Sequence, residues 1–156
     1  VHTMDLLAYF LGTPLSVEAG IQNHHLKGII EVEDTMEAYI RFADSTACFY
    51  ATTAYCDDVP PLIEIACEDR TIRIEDLDVT YFYRDGRVEK PAIDKKEALG
   101  KSYWGCGHKD CIADFYRCVR EEERFPQDLE GMKETILLML GAYESAYTGK
   151  TVELAE

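Results

Sequence analysis

Thr46-Ala47-Cys48-Phe49-Tyr50-Ala51-Thr52-Thr53-Ala54-Tyr55-Cys56 is an eleven-residue run without a charge, in a chain of 156 residues that carries 16 basic and 30 acidic side chains. Successive side chains of a strand point to opposite faces. Cys48, Tyr50, Thr52, Ala54 and Cys56 would therefore line one face, and Ala47, Phe49, Ala51, Thr53 and Tyr55 the other. A half-exposed antiparallel strand alternates apolar with charged residues, and this one does not. The stretch is predicted to be covered on both faces, one by helices of its own chain and the other by something further.

On its N-terminal side, Met36, Ala38, Ile40 and Phe42 alternate through a strand over 35–42, and Asp44-Ser45 turns the chain into the opening stretch. On its C-terminal side, Pro60-Pro61 breaks the ladder. Ile63, Ile65 and Cys67 then alternate in one strand, and Ile72 and Ile74 in the next, with a turn at Glu68-Asp69 or Asp69-Arg70 between them. Val79 to Tyr83 follows, and Asp85-Gly86 predicts a tight type I′ hairpin. Val17, Ala19 and Ile21 mark an earlier strand, Ile29, Ile30 and Val32 a short second one, and Thr151 to Leu154 a last one. Lys90 to Lys101 reads as a surface loop.

Three helices complete the pattern. His2 to Leu11 carries Leu6, Leu7, Phe10 and Leu11 and stops at Gly12 and Pro14. His108 to Arg120 places Cys111, Ile112, Phe115, Cys118 and Val119 on one stripe. Leu129 to Tyr147, with Asp128 as N-cap and Gly149 as its stop, turns Met132, Ile136, Met139, Leu140 and Tyr143 inward. The expectation is a single domain over 1–156 of α+β class, with two layers: an open, mostly antiparallel mixed sheet of about six to eight strands, and helices on one face.

A formal charge of −14 repels phosphate backbones and anionic lipid, which argues against nucleic-acid and membrane-surface partners. No apolar run approaches 18 residues, and the first residues lack a signal-peptide pattern. A soluble, cytoplasmic protein is expected, with its six cysteines reduced. The chain has no initiator methionine and opens directly into a helix, so it reads as part of a longer protein whose missing portion lies upstream.

No self-sufficient catalytic signature is present: no phosphate-binding glycine loop after a strand, no Gly-x-Ser-x-Gly elbow, no Cys-x-x-Cys and no His-x-x-x-His. Cys106, His108 and Cys111 match no standard zinc spacing. His24 and His25 sit in a polar bend and read as solvated. His108 begins a helix after glycines, where a ring can reach a substrate or merely cap the helix. His2 lies three residues before Asp5 at a helix N-terminus, placed for proton transfer if a substrate reaches it.

The combination is more specific than its parts. His2-Thr3-Met4-Asp5-Leu6-Leu7 followed by Leu11-Gly12-Thr13-Pro14 resembles the "His-x-x-Asp-Leu-Leu … Leu-Gly-x-Pro" segment of the Gfo/Idh/MocA family of nicotinamide-dependent sugar and polyol oxidoreductases. Gly107-His108, Asp114-Phe115 and the run Ser145 to Val152 resemble that family's "Gly-His … Asp-Phe" and "Ser-Ala-x-x-Gly-Lys-x-Val" ending. With the intervening meander, the resemblance covers essentially the whole chain, and the order and spacing of short motifs give it its specificity.

What the resemblance implies is a C-terminal domain of the dihydrodipicolinate reductase-like or glyceraldehyde-3-phosphate dehydrogenase-like type, behind an N-terminal Rossmann domain that binds NAD or NADP. In the family, the histidine matched by His2 helps move the substrate hydroxyl proton. An aspartate four residues earlier and a lysine of a Glu-Lys-Pro motif act with it. That aspartate would precede Val1, and Glu89-Lys90-Pro91 lies far downstream of His2, so the lysine role is not carried onto Lys90. Asp5 and His108 are the candidate substrate contacts. The family's open sheet face pairs with another subunit, so Phe49, Thr53 and Tyr55, or Tyr50 and Thr52, would lie at a homodimer or higher homo-oligomer contact.

The expected whole is the substrate-binding and oligomerisation half of an oxidoreductase acting on a sugar, inositol or related polyol. The chain alone would be inactive and bind no cofactor, because a dinucleotide crevice needs a βαβ unit that it lacks. The alternative is a free-standing, non-catalytic assembly module that pairs through the same face.

Overall fold

Val17, Ile40 and Leu138 have no exposed surface, and they come from a strand, its neighbour and a helix about a hundred residues further on. Around them Met4, Met36, Ala38, Phe42 and Ala142 complete the buried cluster. The computed structural model that contains this core describes residues 1–53, 59–93 and 106–154. The chain gathers into two compact units, Val1–Asp57 with Pro126–Glu156, and Asp58–Phe125.

In the first unit, α1 (His2–Leu11) leads to three strands, β1 (Ser16–Gln22), β2 (Thr35–Arg41) and β3 (Thr46–Thr52). The chain returns there as α3 (Lys133–Thr148) and β8 (Val152–Glu153), and the sheet order is β3-β2-β1-β8, with every pair antiparallel. The register sets Ala38 opposite Ala19 and Phe49, and Ile40 opposite Val17 and Ala47, so all of these side chains share the face that α1 and α3 cover. The other face carries Glu18, Glu37, Tyr39, Cys48 and Tyr50, all exposed. β3 is therefore covered on one face, and among the described residues its second face is open.

The second unit is a four-stranded meander in the order β4-β5-β6-β7, built from β4 (Leu62–Ala66), β5 (Arg70–Glu75), β6 (Asp78–Tyr83) and β7 (Val88–Glu89), followed by α2 (His108–Glu121). The α+β class, the antiparallel pairing and the eight strands among the described residues agree with the sequence reading of about six to eight. The difference is that the described strands form two four-stranded sheets where one was expected. Pro60 and Pro61 stand ahead of β4 and offer no amide donors, so β3 cannot run on into it as one ladder.

Three local readings are corrected. The Asp85-Gly86 turn is a three-residue loop: Tyr83 N–H reaches Arg87 O at 2.9 Å, Gly86 N–H reaches Tyr83 O at 3.0 Å, and only Gly86 has positive φ (85°). Asp85 stays out of the left-handed region because its carboxylate accepts the Arg87 N–H at 2.9 Å, which favours a type I turn closed by glycine. The stretch 29–32 forms no strand, since Asn23 and Asp34 fold it into a bend. Finally, α3 starts at Lys133 rather than Leu129, because the Asp128 carboxylate accepts Gly131 N–H at 2.8 Å and closes a separate turn. A Cβ at Gly131 would collide with the Pro126 carbonyl, so glycine is required there.

The buried face of α3 also differs from the expected one. Thr135, Leu138, Gly141, Ala142 and Ser145 face inward, whereas Met132 and Leu140 are exposed and Met139 and Tyr143 are only partly buried. Close approach explains the choice: a Cβ at Gly141 would strike Leu154 and come within 3.2 Å of Val17. The helix can rest on β1 and β8 only with its small residues down. On α2, Cys118 alone of the expected stripe is buried, and Ile112 and Val119 are 56% and 60% exposed.

Candidate functional site

The first turn of α1 carries the two residues that the sequence singles out most strongly. The amide of Asp5 closes that turn on Val1 O at 3.0 Å, and Gly12 ends the helix with φ 84°, its N–H on Ala8 O. His2 is exposed, Met4 is buried in the core, and Asp5 Oδ1 accepts a 2.7 Å hydrogen bond from the Thr135 hydroxyl of α3. His2 and Asp5 thus stand one turn apart on a helix anchored at its start.

Beside this turn opens a cavity of about 290 Å³. Val1 and Met4 form one wall, Phe49 of β3 and Thr53 just past that strand another, and Met139 and Tyr143 of α3 a third. Its main polar feature is a pair: the Tyr143 hydroxyl donates to the carboxylate of Glu33. That bond, with partial burial, pushes the Tyr143 hydroxyl up to about 12, so it stays protonated and acts as a donor. Tyr147 stacks on Tyr143 at 6.3 Å and fixes the plane of the ring.

Next to Glu33, the buried Asp34 organises the bend that leads into β2. Its carboxylate accepts the backbone N–H groups of His24 (3.0 Å), His25 (2.6 Å) and Leu26 (2.7 Å), together with the Thr35 hydroxyl (2.9 Å). Burial alone would raise its pKa, but the amides of Leu26, His24 and His25 and the Thr35 hydroxyl outweigh it and hold the carboxyl well below the usual carboxylate range. Thr35 has a single proton and gives it to Asp34, so Thr52 must donate in the 2.9 Å bond between the two threonines. His24 and His25 are exposed, and what the fold takes from them is their backbone.

His108 is the first residue of α2 and belongs to the second unit, as do Cys106 and Cys111. Among the described residues, no group of three His, Cys, Asp or Glu side chains could hold a metal ion. Cys48, Cys67, Cys106 and Cys118 are free thiols. Of the residues expected at a subunit contact, Tyr50 and Thr52 lie on the open face, Phe49 packs toward the core, Thr53 is exposed just past β3, and Tyr55 lies outside the described residues. Among the described residues no helix is long and apolar enough to cross a membrane.

Residues 1–73 match the family model described as the GFO/IDH/MocA C-terminal domain. An oxidoreductase from Agrobacterium radiobacter, solved with NAD+, L-tartaric acid and magnesium, superimposes with a TM-score of 0.81 over 98% of this chain and 47% of its own, at 18% identity. Residues 1–73 thus resemble the GFO/IDH/MocA C-terminal domain, and the fold of nearly the whole chain recurs in the Agrobacterium radiobacter structure. Levoglucosan dehydrogenase in complex with NADH and levoglucosan gives a TM-score of 0.75 over 99% of this chain and 48% of its own, at 20% identity. The WlbA dehydrogenase of Bordetella pertussis, in complex with NADH and UDP-GlcNAcA, gives 0.75 over 99% and 46%, at 22% identity. This domain therefore spans about half the length of the solved structures that it resembles. No curated protein matches it by sequence.

Sequence reasoning singled out His2 and Asp5 as candidates, and it did not single out Glu33, Asp34, Thr135 or Tyr143 as members of a site. Thr135 and the pair of Tyr143 with Glu33 bond across 130 and 110 residues of chain, a separation that local pattern does not register. Asp34 had a local signal, an aspartate directly before a strand and after a polar bend.

Proposed function

We propose that this chain is the substrate-binding and oligomerisation half of an NAD(P)-dependent oxidoreductase acting on a sugar, inositol or related polyol. The observation that carries the reading is the length relation. The fold of nearly the whole chain recurs in structures solved with NAD+ or NADH, yet it accounts for less than half of each.

The cofactor does not fit on this chain's described residues. All pairings between its named strands are antiparallel, so there is no βαβ unit to bring a helix N-terminus to a pyrophosphate. The proposal accordingly assigns NAD(P) to an N-terminal Rossmann domain of the longer protein. His2 is assigned the exchange of a proton with the reacting substrate hydroxyl, and Asp5 and His108 are assigned as substrate contacts. Tyr50 and Thr52 on the open face, with Tyr39 and Cys48 beside them, are assigned to pairing with a second copy.

Calorimetry on the 156-residue chain is expected to detect no NAD(P)H binding, and a micromolar affinity would refute the division of labour. The exposed tyrosines of the open face also suit a non-catalytic assembly module. A start codon at or near Val1 would favour that module, whereas an upstream Gly-x-Gly-x-x-Gly unit with Glu-Lys-Pro and an aspartate four residues before His2 would favour the enzyme.

A further inference from the structure

Thr135 is an unusual residue for the inward face of α3. It is 3% exposed, and it stands one helical turn before Leu138, which has no exposed surface. A helical threonine commonly turns its hydroxyl back onto the carbonyl a turn earlier. Here the hydroxyl donates to Asp5 Oδ1 at 2.7 Å, on another helix 130 residues away. A bond from a buried hydroxyl to a carboxylate is charge-assisted and stronger than a neutral one. Leaving that hydroxyl without an acceptor would carry the full cost of burying a polar group.

The position of this bond gives it a consequence beyond stability. No side-chain cap holds the N-terminus of α1. The anchors of its first turn are consecutive: Met4, sunk in the core, and Asp5, tied to Thr135. Side chains at adjacent helical positions point about 100° apart, so anchoring both fixes the rotation of the turn as well as its depth. His2 stands three residues before Asp5 and on the same side of the helix.

We propose that Thr135 is a positioning residue, which through Asp5 sets the place of the His2 ring relative to the substrate hydroxyl. This rests on the reading of His2 given above. A displacement of about 1 Å of an acid–base group can cost on the order of 10²-fold in rate.

The test uses the full-length enzyme. Thr135→Val keeps the shape and removes the donor, and it is expected to lower kcat by about 10²-fold with the KM for the nicotinamide cofactor unchanged. Thr135→Ser is expected to restore most of the loss. Should Thr135→Val fold poorly, Asp5→Ala removes the acceptor from an exposed position and is expected to lower kcat in the same way. When both variants fold, Thr135→Val added to Asp5→Ala should cost little more, because the two act as one unit. Fully additive losses, no rescue by serine, or a kcat within about twofold of the parent would each overturn the proposal. His2→Ala separates the two levels of the argument: if it leaves turnover intact, the reading of His2 fails, whereas if it abolishes turnover while Thr135→Val does not, only the positioning role fails.

Discussion

The two long helices reverse what their sequences suggest. α2 has the clearer apolar stripe, yet Ile112, Phe115 and Val119 stand exposed and only Cys118 is buried. α3 mixes apolar and small residues around its circumference, and it is the helix that rests on β1 and β8 and touches α1. The contrast teaches that closeness of approach, more than breadth of stripe, decides which helix face carries a core. Gly141, Ala142 and Ser145 let the α3 backbone settle onto the sheet, and Ser145 goes further. Its hydroxyl oxygen accepts the Ala19 N–H at 2.9 Å. β8 pairs with β1 only at Ser16 and Val17, so Ser145 takes the place of a strand partner that β8 is too short to supply.

The contrast can be broken most readily in the core. Leu138→Ala on α3 should cost about 2 to 5 kcal/mol in chemical denaturation, while Val119→Ala on α2 should change stability by less than about 0.5 kcal/mol. A large loss from Val119→Ala would show that the stripe of α2 is packed in solution. Gly141→Val is expected to cost about 1 to 3 kcal/mol through overpacking against Leu154 and Val17, read as a lowered Tm. Ser145→Ala is expected to cost about 1 to 3 kcal/mol by stranding the Ala19 amide, and faster hydrogen exchange at that amide would identify the cause.

The smallest effect expected is a response to pH in the bend before β2. Asp34 has its folded pKa held below the ordinary value of 3.8, so its contribution to stability is complete above about pH 4 and is lost as the pH falls below that. Amide exchange at His24, His25 and Leu26 should therefore accelerate selectively in acid, and Asp34→Asn should show that faster exchange already at pH 7. Uniform acceleration across the sheet would mean that the carboxylate does not hold the bend separately.

How much of this was legible in the sequence follows from the range of each interaction. The strands around Thr46 to Cys56 were readable because alternation is local, and their pairing followed from short turns. The inward face of α3 was misread because Met132, Ile136, Met139, Leu140 and Tyr143 outweigh glycine, alanine and serine on any hydropathy pattern, whereas the sheet selects by size. Asp5 was singled out as a candidate, but its bond to Thr135 joins two ends of the chain that no spacing relates. The second face of β3 was predicted to be covered by something further, and among the described residues it is open, with Tyr50 exposed and Phe49 turned to the helices.

The central proposal is that the chemistry resides at the first turn of α1 while the cofactor resides on another part of a longer protein. Turnover and NAD(P)H affinity of His2→Ala in that full-length protein test it most directly. A fall of about 10² to 10⁴ fold in kcat with cofactor affinity nearly unchanged is the expected result. Unaltered turnover, or equal losses in both quantities, would contradict it.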